Sequence, residues 1–104
     1  MIYTIETSIN CFEQVQSFSI CPKELHSHKL WISVTLNISD LVDEQELVAN
    51  VKDSISDSVF LQEKWTLNYV TQQIFKEVKS LLPQLKKIKV TLWELNLSCE
   101  VEDE

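Results

Sequence analysis

Not one of the 104 residues is a glycine. Glycine enters left-handed backbone conformations without steric cost, so tight turns here must be built from Asn, Asp or Ser, which tolerate them best. The same absence removes whole function classes. A phosphate-cradling P-loop and the dinucleotide fingerprint of a doubly wound sheet both need glycines where the backbone approaches phosphate. Neither can be assembled from this chain.

The charge pattern narrows the choice further. All nine basic residues are lysines, and 16 acidic residues bring the formal net charge to -7. Nucleic-acid binders concentrate Lys and Arg to displace counterions from phosphates, so the balance speaks against DNA or RNA. Without arginine there is no planar fork to grip an anion bidentately. Lysine, backbone amides or a metal must hold any anionic ligand. Cys11, Cys21 and Cys99 are an odd number and leave a disulfide framework incomplete. The opening MIYTIETSIN has neither a basic n-region nor a long apolar run, and no stretch approaches the ~20 apolar residues that span a bilayer. These features predict a cytoplasmic chain with no membrane partner. Its length fits a single domain over 1–104, small enough for oligomer formation to be a natural source of added stability.

Periodicity supplies the elements. Residues 2–9 predict a first strand with Tyr3, Ile5, Thr7 and Ile9 on one face. Residues 10–27, with Pro22 and several Ser and Gln, keep no steady period and read as an irregular loop carrying a short piece of strand. Over 29–39, Leu30, Ile32, Val34, Leu36 and Ile38 alternate with polar residues and Trp31, the mark of a half-buried strand. Asp43 followed by Glu46 predicts a helix start, with Leu47, Val48, Val51 and Ile55 as its apolar stripe. A longer helix from Thr66 carries Leu67, Val70, Ile74, Val78 and Leu81, and Pro83 ends it near Leu82. Residues 87–93 resume a strand, Asn96 marks a turn or bulge, and Leu97–Val101 add a last strand. The end Glu102-Asp103-Glu104 reads as a solvated tail. The order strand-strand-helix-helix-strand-strand predicts an α+β domain, an antiparallel sheet with both helices on one face.

Few side chains suggest chemistry. His26 and His28, two residues apart at a strand start, place two imidazoles on one side, the geometry of a metal-binding pair or of two surface histidines. A zinc site needs at least a third ligand. Glu94 shares the parity of Ile88, Val90 and Leu92. An unbroken strand sets its carboxylate among apolar side chains, where it needs partners; a kink at Trp93 turns it to water. Cys21, Asp43 and Asp57 are unremarkable alone. Trp31 and Trp65 read as core or subunit-contact residues, and Lys76, Lys79, Lys86, Lys87 and Lys89 as a solvated face.

Taken in order, these pieces resemble the 6-pyruvoyl- and 6-carboxy-tetrahydropterin synthases of the tunnelling fold (T-fold). His26-Ser27-His28 stands where that family has His-Gly-His, and an alternating strand follows. Val42-Asp43-Glu44-Gln45-Glu46-Leu47 resembles its Asp-Phe-x-x-Leu helix start. Ser56-Asp57-Ser58-Val59-Phe60-Leu61-Gln62 parallels Leu-Asp-His-x-x-Leu-Asn, Trp65-Thr66-Leu67-Asn68 parallels Pro-Thr-x-Glu, and Leu92-Trp93-Glu94-Leu95 parallels the late Glu-Thr. The resemblance spans nearly the whole chain. It implies zinc on His26 and His28, Cys21 and Asp57 in the proton-moving set, Glu94 as the anchor of a pterin-like heterocycle, and a homohexamer of two stacked trimeric rings.

The departures bear on activity. Ile9 falls where the family has its first zinc histidine, and Ser58 replaces the histidine of its Cys-Asp-His set. Trp65 and Asn68 stand for Pro and Glu, and Cys21 lies one residue further from the histidine pair than the family's cysteine. The zinc site is thus incomplete unless Cys11 or Cys21 supplies a ligand. Losing the proton-shuttling histidine costs on the order of 10²–10⁴ in rate. Three readings follow: a synthase-like lyase with an altered site, a non-catalytic binding or assembly module on the same fold, and a metal-free enzyme similar to dihydroneopterin aldolase that also anchors substrate through a late Glu.

Overall fold

A computed structural model of the chain describes residues 1–13, 26–55 and 66–103, giving the backbone alone for 10–13 and 26–28. Four strands form one antiparallel sheet in the order β1-β2-β3-β4: β1 Ile2–Glu13, β2 His26–Asn37, β3 Leu85–Leu92 and β4 Leu97–Glu102. Helices α1 (Glu44–Ser54) and α2 (Leu67–Leu81) lie between β2 and β3 in the chain. The predicted α+β class holds, and the elements of the described residues follow one another as strand, strand, helix, helix, strand, strand.

The alternation read from the sequence decides which face is covered. Leu30, Ile32, Val34 and Leu36 of β2 and Leu85, Ile88, Val90 and Leu92 of β3 are fully or almost fully buried. They join Ile5 of β1 and the helix residues Leu47, Val51, Leu67, Val70, Ile74 and Val78 in a single cluster. Burying a side chain of this size stabilises by roughly 1.5–3 kcal/mol, and that is what holds the helix layer on the sheet. Two buried hydroxyls are satisfied within their own helices, Ser54 Oγ donating to Val51 O at 2.7 Å and Thr71 Oγ1 to Leu67 O at 2.7 Å.

Local signals set the boundaries. The Asp43 carboxylate caps α1 by accepting from Gln45 N at 3.0 Å and Glu46 N at 3.2 Å. Thr66 Oγ1 accepts from Tyr69 N at 3.2 Å at the start of α2, and α2 ends at a Leu82 cap just before Pro83. Asn96 takes the left-handed conformation, φ 50°, between β3 and β4. It is the one positive-φ residue among the described residues, in the place where other chains put glycine.

Three expectations are corrected. β1 runs past residue 9 to Glu13, and β2 begins before residue 29, at His26, and ends at Asn37 rather than 39, so the ends of the irregular stretch are strand. Strand β3 stops at Leu92, and Trp93–Leu95 form a single 3₁₀ turn, so strand parity does not reach Glu94. The acidic end is tied down at Asp103, whose N–H donates to Lys86 O at 2.8 Å and whose carboxylate accepts from Lys79 Nζ at 2.8 Å.

Candidate functional site

The register decides which sequence motifs meet. Leu30 of β2 pairs with Leu92 at the end of β3. His26 and His28 therefore lie two to four residues, ~7–13 Å, beyond the last β3 pair, at the sheet end where the 3₁₀ turn carrying Glu94 begins. Across the other edge of β2 the chain pairs with β1, and there Cys11 is opposite His28 and Glu13 opposite His26. Three predicted site residues thus belong to one end of the sheet. Cys21 and Asp57 lie outside the described residues, as does Trp65.

Glu94 is exposed, in the 3₁₀ turn. Of the two orientations open to it, the strand-parity one is replaced by the one in which the chain kinks at Trp93. The cause is local: the left-handed Asn96 reverses the chain into β4 and requires the strand to end two or three residues earlier. The inward carboxylate that the unbroken strand implied is absent from this chain fold.

The fit of zinc to these residues is mixed. Ile9, which the resemblance sets where a first zinc histidine is expected, is half-buried, packs against the core cluster and has no donor atom. Among the described residues no three His, Cys, Asp or Glu side chains gather as a metal-binding group. In the backbone register Cys11 is opposite His28 and Glu13 opposite His26.

The sequence reading missed what the uncovered sheet face carries. Trp31, expected in a core or subunit contact, is 41% exposed there. Its ring meets Trp93 edge-on, with centroids 6.4 Å apart and planes at 64°, and Lys29 Nζ stands 6.0 Å from its centroid. Glu6, Ser33 and Lys89 fall on one cross-strand row, and Ser8, Trp31 and Thr91 on the next. Glu6, Trp31, Ser33, Lys89 and Thr91, with Ile32 beneath, line a cavity of about 250 Å³. Glu94 is not among its lining residues. The odd-numbered parity of Trp31 and Ser33 was the available signal, since it assigns both to the face away from the core.

The lysine cluster also divides. Lys79 is a structural clasp rather than part of a solvated face, for it donates to Pro83 O at 2.9 Å, to Leu85 O at 3.2 Å and to Asp103. Lys87 pairs with Glu100 of β4 at 3.7 Å. No helix of the described residues is long and apolar enough to cross a membrane. No protein-family model matches the sequence, and no curated protein is significantly similar to it.

Proposed function

We propose that the chain is a T-fold relative of the tetrahydropterin synthases that binds a pterin or a related purine-like heterocycle, with much of the catalytic set lost. One observation carries the reading: the β2–β3 register brings the strand of His26 and His28 and the turn of Glu94 to the same end of the sheet. A site of this kind needs a carboxylate for the donor edge of the heterocycle beside the groups that act on its side chain. An exposed Glu94 fits that role only if a second subunit encloses it, so the proposal includes a cytoplasmic homohexamer in which sites form between chains.

In such a site the two carboxylate oxygens of Glu94 accept from the parallel N–H donors of a pterin or guanine edge. Calorimetric titration of wild type and Glu94→Gln with a panel of pterins and purines tests this. The amide exchanges one acceptor for a donor, so binding weakens by about 1.5–3 kcal/mol, the scale of a hydrogen bond to a charged group. A wild type that binds none of them, or a variant that binds as well, overturns the proposal.

A second reading is favoured by Ile9. Its packing against the core commits the first zinc-histidine position to structure, and with Ser58 in place of the shuttling histidine this supports a binding or assembly module. Ligand binding without turnover selects it.

A further inference from the structure

We infer that the uncovered sheet face carries a binding site for a free α-amino acid with an aromatic side chain, set between Glu6 and Lys89 against Trp31. The inference stands on the register of β1, β2 and β3 and on the cavity found there. It does not depend on the pterin reading, since Glu94 does not line that cavity.

The register places the charges. Glu6 is opposite Ser33, and Ser33 is opposite Lys89, so a carboxylate and an ammonium flank one hydroxyl on the same face of three strands. Two strand spacings of ~4.8 Å separate their backbones. Among the described residues neither Glu6 nor Lys89 has an ion-pair partner. Lys89 does have an acid directly across from it on β4, Glu100, but that carboxylate pairs with Lys87 at 3.7 Å. One charge of each sign is thus left open to a ligand.

The neighbouring wall is aromatic. On the next row Trp31 lies between Ser8 and Thr91, and its indole meets Trp93 edge-on with centroids 6.4 Å apart. The cavity of about 250 Å³ falls just under the ~300–1,000 Å³ of drug-sized pockets, so its ligand is small. The lining speaks against the simpler classes. An anion meets Glu6 and a net charge of -7. A cation meets Lys89 and finds Lys29 Nζ already 6.0 Å from the Trp31 centroid. A wholly apolar ligand leaves both charges unmatched, and a neutral polyol offers neither of them a counter-charge. A zwitterion answers each end: its ammonium donates to Glu6, its carboxylate accepts from Lys89 and from the Ser33 or Thr91 hydroxyl, and its ring lies against Trp31.

Calorimetric titration of the full chain with L-phenylalanine, phenethylamine, phenylpropionate and glucose tests the site. Phenylalanine is expected to bind, and each single-charge analogue to bind at least ~10-fold more weakly, because one hydrogen bond to a charged group is lost. Two variants should move these ratios selectively. Glu6→Gln brings phenylpropionate close to parity with phenylalanine and keeps the preference over phenethylamine; Lys89→Met does the reverse. A merely structural role moves both ratios together or neither. Glu6 and Lys89 lie outside the core cluster, so both variants are expected to fold. A wild type that binds no phenylalanine, prefers glucose or binds the three aromatic ligands equally overturns the inference, as does either variant that leaves its ratio unchanged. Phenylalanine bound in this way by a protein that ignores every pterin keeps this inference and removes the functional one. Pterin binding that depends on Glu94, with no phenylalanine binding, does the opposite.

Discussion

Single side chains at the carboxyl end show how strongly one contact can define a boundary. The hydrogen bond from Lys79 holds the Asp103 carboxyl below the ordinary carboxylate range; slight desolvation opposes it, and the charges of Lys79 and Lys86 add to it. A group with a depressed folded pKa stabilises the native state above its unfolded pKa, and that contribution is lost as pH falls through the folded value. Asp103→Asn is therefore expected to melt slightly below wild type at neutral pH, by a small amount because the pair is exposed. The gap should close as the pH drops below the ordinary carboxylate range. Thermal melts at neutral and acid pH check this. Equal melting at neutral pH shows instead that the clasp works through Lys79 and the two backbone carbonyls alone. Nothing in the sequence marked this pair, because Lys79 and Asp103 are brought together by the fold and not by spacing.

At the scale of elements, the chain was largely legible. The period-2 run at 30–38 and the helical spacing from Leu67 to Val78 each have one buried solution, and the structure adopts it. Asn96 was legible as well, since a chain without glycine gives its left-handed turns to Asn. Asn96→Ala should cost about 1 kcal/mol, because alanine bears the same Cβ at φ 50° without the short polar side chain whose local hydrogen bonding makes the left-handed region tolerable for Asn, whereas Asn96→Gly should retain stability. Urea unfolding of the three proteins is the measurement, and an unaffected alanine variant shows that the turn relaxes to negative φ. The site was less legible. Parity carried Glu94 inward only as long as the strand continued, and the end of a strand is set by the turn after it. Cys11 opposite His28 was hidden for a different reason. A register depends on how two segments pair, and 14–25, between them, hold no pattern that fixes it.

Among the described residues the sheet has one covered face and one open one, with β1 and β4 as its outer strands. Unpaired edges invite further pairing, and the uncovered face mixes Ser, Thr, Lys and Glu with an exposed Trp31. Closure of several copies into a barrel, as proposed, would satisfy the edges and enclose that face. Light scattering at micromolar concentration should accordingly give the mass of a hexamer, and a monomeric mass sinks the assembly and the shared sites with it. The same test bears on Trp31 and Trp93, whose exposed rings should be shielded from quencher only in the assembled form.

Sheet order and chain order coincide in this fold, and that has a consequence for how the chain reaches it. β1 with β2 and β3 with β4 are neighbours along the chain, so each pair needs only a modest loop to close. The β2–β3 seam is different, since residues 38–84 lie between its two strands. Loop-closure entropy grows slowly with length, but distant pairings still govern folding speed. The two helices occupy that interval and pack on both halves of the core. The expected order of events is therefore two local hairpins first and the β2–β3 seam last, with α1 and α2 as the drawstring that closes it when they dock on the sheet.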